Sequence, residues 1–177
     1  MTRCRRRRRA RSFMSADAKK LAANARAQIE RLLTQLADLE TFREDFDEEE
    51  IQEIKAQTLE QLEAFRASLI KLDSGSVELR DEMQIMRDAT TAAIKAAFKT
   101  PEVLRMFVMK QPEALRERLR RAERDAQLGK MTAEGAKTER VEVLTALKKL
   151  GAPLEDGELE FLRAHMTAGL ADFVEEK

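Results

Sequence analysis

Apolar residues recur at intervals of three and four along most of the chain, the spacing of one face of an α-helix. Ile29, Leu32, Leu36 and Leu39 occupy alternating a and d positions of a heptad, Arg43 then intrudes at a, and Phe46 returns at d. This predicts a helix from about Asp17 to Phe46. Asp47, followed by Glu48, Glu49 and Glu50, has the form of a capping box with an acidic first turn. Thr58, Leu62, Phe65, Leu69 and Leu72 then repeat at 4,3,4,3. Each seam is about three heptads long, marginal for an independent dimer. A short connection makes successive helices antiparallel neighbours, so the two seams are expected to pack as a hairpin within one chain. Self-association through Ile29, Leu32, Leu36 and Leu39 is the alternative.

Asp73-Ser74-Gly75-Ser76 punctuates the pattern, and helix is expected to resume near Val77. Leu79, Met83, Met86, Thr90, Ala93 and Ala97 trace a Met- and Ala-rich seam running to Phe98, read as core rather than as an adaptable binding surface. Thr100-Pro101-Glu102 is a helix start with an N-cap hydroxyl, proline at N1 and an early carboxylate. The helix it opens is short, because Pro112 follows, and Val103, Leu104, Met106, Phe107 and Val108 make it apolar nearly all round. It is expected to be a buried pivot. From Pro112 to Leu128, five arginines surround a thin stripe of Leu115, Leu119 and Ala122. Their face is read as solvated, with docking of an acidic partner, or of the acidic body of a second copy, as the alternative. Glu117-Arg121 is the favourable i,i+4 pair on it. Gly129 ends that helix, and Thr132 to Gly135 form a polar joint.

The last fifty residues carry the most information. Val143, Leu144, Leu147 and Leu150 cover an arc of roughly 120° on a helical wheel, with Val141 on its flank. Gly151 sits at a left-handed cap, and Pro153 stops the helix from resuming. In a second helix Leu159, Leu162, Met166, Gly169, Leu170 and Phe173 fall on one stripe. The pair forms a helical hairpin with more apolar surface than two helices can hide from each other.

Composition and charge sharpen this picture. Charged residues make up 37% and aromatics 5% of the 177 residues, with neither Trp nor Tyr, a profile that favours extended helical structure. The single Cys4 rules out an internal disulfide framework and fits a reducing compartment. No apolar run approaches the roughly 20 residues of a membrane span. The formal net charge of zero conceals an asymmetry: residues 1–20 carry +8 and the rest −8. Nucleic acid is therefore repelled by the body of the protein, and affinity for polyanions belongs to the tail.

That tail, with Arg5, Arg6, Arg7, Arg8 and Arg9 at its centre, reads as a nuclear import signal, as an Arg-rich presequence, or as sequence preceding a true start at Met14. A DNA-binding zipper fails, because residues 3–11 offer almost no base-reading side chains and the acids at 47–50 interrupt the heptads.

No pattern supports catalysis, a cofactor or a metal. The one His, His165, lies at the edge of the last apolar stripe with neither a second His nor a Cys near it in sequence. Carboxylates are spread over helix faces without an apolar pocket to perturb them, and no Gly-rich phosphate loop occurs.

Specific strings then say more than periodicity does. Val141-Glu142-Val143-Leu144, Leu147-Lys148-Lys149-Leu150-Gly151 and Glu160-Phe161-Leu162-Arg163 resemble the ICAT domain, the helical part of a small β-catenin inhibitor. QIERLLTQLADLE, TLEQLEAF, AAFKTPEVLRMF and MKQPEALRERL extend the likeness, so that residues 26 to 173 resemble the leucine zipper and ICAT domain-containing family. The resemblance implies an elongated all-α protein: a basic tail (1–14), a leucine-zipper-like hairpin or coiled coil (15–72), a middle helical region (73–129) and an ICAT-like helical domain (130–177). It implies a non-enzymatic protein that binds an armadillo-repeat, β-catenin-like or other helical partner in cytoplasm or nucleus, regulating signalling or transcription. A coiled-coil structural protein that associates with itself is the alternative. The inhibitor's partner-facing Tyr, Lys and Val fall on Ala136, Arg140 and Val143. Arg140 keeps the charge and Val143 the apolar contact, whereas Ala136 has no ring. The inhibitor's acidic-aromatic, groove-blocking tail has no counterpart after Phe173.

Overall fold

The computed structural model describes residues 16–72 and 77–175, so the basic tail lies outside the described residues. Among these residues the chain is all-α. Helix α1 (Ala16–Thr41) leads through a 3-10 turn (Arg43–Asp45) to α2 (Glu48–Lys71) and then α3 (Val77–Ile94). The short α4 (Pro101–Val108) precedes α5 (Pro112–Gln127), α6 (Ala133–Lys149), α7 (Asp156–His165) and α8 (Ala168–Glu175).

Helix α1 packs against α2, α3 and α4 at once. Its seam residues Ile29 and Leu32 have no exposed surface, and Leu36 and Leu39 are buried too. Thr58, Leu62 and Leu69 of α2 are buried with them. The zipper positions thus spend their apolar surface inside the chain. Helix α1 stops at Thr41, earlier than the heptads suggest, because Asp47 nucleates a new helix. The Asp47 carboxylate accepts from the Glu50 N–H at 2.8 Å and its own N–H donates to the Glu50 side chain at 3.3 Å. Phe42 and Phe46 are thereby left at the elbow, half exposed.

On α3, Leu79, Met83, Met86, Thr90 and Ala93 are buried, as core demands. The helix ends at Ile94, and Ala96 adopts a φ of +49° that turns Phe98 back into the core. Helix α4 buries Val103, Leu104, Phe107 and Val108, and it packs against α1, α3, α5 and α6. Gly129 (φ +70°) and Gly151 (φ +73°) end α5 and α6 in the left-handed conformation expected of them.

The structure corrects the sequence-based expectation at four places. Helix α6 is not a one-sided amphipathic helix: every residue from Glu139 to Leu147 except Arg140 is buried, so it is a central helix enclosed on all sides. The final stripe is not one helix, because Met166 is extended (φ −64°, ψ 129°) and divides it into α7 and α8. The break lets α8 turn toward α3 and α6, where Phe173 meets Phe98 and Phe107 edge-on at 5.0 and 5.2 Å. Gly169 permits the approach, since a methyl added there would lie 3.4 Å from that of Ala97. Third, Thr100 does not cap α4 with its hydroxyl. Fourth, Arg121 pairs with Asp125 at 3.6 Å, while Glu117 takes Arg120 and Arg124, both at 3.1 Å.

Candidate functional site

The capping of α4 shows how α6 is tied to the rest of the chain. Pro101 supplies no N–H, and the preceding Lys99 and Thr100 N–H groups donate to Glu142 Oε1 and Oε2 at 2.6 and 3.2 Å. Glu142 is only 1% exposed, and a carboxylate in the middle of a central helix is tolerated because it serves as the N-terminal anion of a neighbouring one. Burial pushes its carboxyl above the ordinary range. The Lys99 and Thr100 donors oppose that rise and the Glu139 charge adds to it. Glu139 is in turn paired with Arg118 of α5 at 2.6 Å.

Lys149, at the other end of α6, gathers three helices. Its Nζ lies 3.1 Å from Asp88 on α3, donates to the Phe173 carbonyl on α8 at 2.8 Å, and sits 5.4 Å from the Phe173 ring centre. Periodicity does not reveal either group, because a charged residue on an otherwise apolar helix looks like a solvated edge. On the helical wheel Glu142 and Lys149 fall together nearly opposite the apolar arc, where a solvated face is the natural reading.

The face between α5, α6 and α7 holds two of the three partner-facing residues expected from sequence. Ala136 and Arg140 line a shallow depression of about 420 Å³ with Ala126, Ala133 and Phe161. Arg140 is fixed from two sides. Its guanidinium stacks over Phe161 at 4.3 Å and its Nη1 lies 3.5 Å from Glu123 of α5. Phe161 is held in turn by His165, whose ring meets it edge-on at 4.6 Å. The lone histidine is therefore a packing partner of the aromatic ring that supports Arg140. Beside it, Arg116 bonds both Glu158 and the Pro153 carbonyl, joining α5 to the α6–α7 link. Burial alone would raise the Glu158 carboxyl, but the Arg116 bond, the Glu155 N–H and the Arg116 and Arg140 charges outweigh it and hold it low.

Val143 does not share this face. It is fully buried, and its helix packs against α4, α5, α7 and α8, so its side chain is part of the core. Ala136 and Arg140 are thus brought together and Val143 is separated from them. A pre-positioned arginine beside an open apolar hollow suits recognition of an acidic or carbonyl-rich protein surface. Among the described residues no three metal-capable side chains cluster, and no helix is long and apolar enough to cross a membrane.

Residues 122–176, from the last turns of α5 through α8, match the family described as Beta-catenin-interacting protein ICAT. No solved structure matches the chain.

Proposed function

We propose that this chain is a non-enzymatic binding protein that docks through the α5–α6–α7 face onto an armadillo-type, β-catenin-like helical repeat. One observation carries the reading. The segment resembling a β-catenin-interacting family contains an open hollow in which Ala136, Arg140 and Phe161 converge. Arg140 supplies the charge, held ready by Phe161 and Glu123, so little rotamer entropy is lost on binding. Ala136 leaves the hollow without the aromatic ring that the resemblance expects there, so Arg140 and Phe161 are the side chains on offer to the partner. In this arrangement residues 15–72 and 73–129 provide the support against which the ICAT-like part is packed. A role in signalling or transcription then follows from whichever repeat protein is bound, with the site of action in cytoplasm or nucleus.

The test is binding of the full chain to the purified armadillo-repeat domain of β-catenin by calorimetric titration. Arg140→Glu is expected to abolish the heat of binding, and Ala136→Glu to weaken it, without changing the melting of the free chain by more than a few degrees. Binding that survives both substitutions would place the interface elsewhere. Failure of the unaltered chain to bind would remove β-catenin-like repeats as the partner.

A further inference from the structure

The elbow between α1 and α2 presents a second surface, on different helices from the α5–α6–α7 face. A groove of about 660 Å³ runs along α1 from Ala27 to Phe42 and is closed on the other side by Ile54 and Phe46. Phe42 and Phe46 are 50% and 42% exposed there, unusual for phenylalanine. Its surroundings are acidic. Residues 38–53 carry nine carboxylates against the single Arg43, and the groove itself is lined by Glu30 and Asp38 with one cation, Arg31, which donates to Gln61 of α2.

The outward face of α5 has the opposite character. Leu115, Leu119 and Ala122 point into the core, which turns Arg120, Arg121, Arg124 and Leu128 to the far side of the helix. Glu113 and Glu117 lie among them, with Glu117 shared by Arg120 and Arg124, so the excess charge there is positive. The Arg121 side chain is 77% exposed and Leu128 is 68% exposed. Leu128 and the two elbow phenylalanines are thus large apolar side chains left open on surfaces of opposite charge. Their lengths also agree. At 1.5 Å per residue the groove extends about 22 Å along α1, and α5 is about 24 Å long.

We infer that the α1–α2 groove accepts helix α5 of a second copy of this chain, with Leu128 entering against Phe42 and Phe46 while Arg121 and Arg124 meet Asp38 and its acidic neighbours. This differs from pairing through Ile29 and Leu32, which are enclosed within the chain. The contact joins two different surfaces, so each added copy leaves a groove at one end and an α5 face at the other. Assembly is then head to tail, a ring where the rotation closes and a growing chain where it does not. Burial of Leu128 supplies the attraction, and the opposite charges set the register and make it salt-sensitive.

Sedimentation velocity of the full chain tests this. At low salt the weight-average coefficient is expected to rise with concentration beyond the dimer value, and to fall in about 1 M salt, where the screening length is only about 3 Å. Phe42→Ser with Phe46→Ser disables the groove, and Arg121→Glu with Leu128→Ser disables α5. Each double variant alone is expected to be monomeric, and an equimolar mixture is expected to form a dimer that grows no further. Should the serine pair alter the helical signal, Asp38→Lys disables the groove in its place. A wild-type chain that stays monomeric, variants that still assemble, or a mixture that stays monomeric would each overturn the proposal. So would assembly that disappears when residues 1–13 are removed, because the basic tail would then be the occupant.

Discussion

Lys149 Nζ lies 3.1 Å from Asp88 Oδ2, an ion pair in which the two side chains are only 14% and 4% exposed. It joins the last turn of α6 to α3, and the same ammonium reaches the Phe173 carbonyl of α8. Removing one member of a buried pair costs far more than replacing both. Lys149→Met is expected to destabilise the protein by about 3 kcal/mol, lowering Tm by about 6–12 °C. Combining it with Asp88→Asn, which keeps an acceptor for the Gln84 amide, is expected to recover most of the loss. Thermal melts of the two single variants and the double variant check this, and additive losses would refute the coupling.

The raised carboxyl of Glu142 makes stability depend on pH in a definite sense. The folded state holds the proton more tightly than the unfolded one, whose carboxyl titrates near about 4.3. The resulting contribution is complete below that value and disappears as pH rises through the folded-state pKa. In Glu142→Gln this dependence is absent. The stability of the wild type minus that of the variant is therefore expected to fall as pH rises across this window and to level off above it. Urea unfolding of both proteins from about pH 4 to 8 measures the difference. A difference that rises with pH would contradict the assignment.

Substitution in the zipper seam tests folding rather than association. Leu32 is fully buried between α1 and its neighbours, so Leu32→Ala is expected to cost about 2–5 kcal/mol. Its hydrodynamic size under native conditions should match that of the wild type at equal concentration. A change in association with no loss of stability would show that the seam faces another molecule.

Filling the hollow beside Arg140 should strengthen recognition. Ala136→Tyr places a ring where the resemblance expects one, and interface energy concentrates in such anchors. About tenfold tighter binding to the β-catenin armadillo domain, or roughly 1.4 kcal/mol, is the expected gain in calorimetry. Unchanged binding would show that the hollow is not the contact.

The elements were legible wherever local chemistry alone decides them. The Asp47 capping box, proline at the start of α4 and α5, and the left-handed glycines after α5 and α6 are all encoded within a few residues. The candidate site was half legible. Ala136 and Arg140 do share a hollow, but the burial of Val143 depends on helices that pack from elsewhere in the chain. Long-range polar contacts were not legible at all. Glu142 caps a helix more than forty residues upstream in sequence, and no periodicity carries that information. The end of α7 was missed for a similar reason: Met166 continues the stripe in pattern, yet Phe173 must reach Phe98 and Phe107.

The aromatic cluster at Phe173 has a consequence for dissection and grafting. Both rings that receive it, Phe98 and Phe107, precede residue 122, and so do the Lys99 and Thr100 amides that satisfy Glu142. A fragment cut at the boundary of the family match would expose Phe173 and open to water the apolar side of α6 that α4 covers. Sequence likeness and mechanical autonomy therefore end at different places in this chain. The transplantable unit reaches upstream through α4 and into α3, which carries Asp88, so a graft that carries only the recognisable segment would arrive without its own foundations.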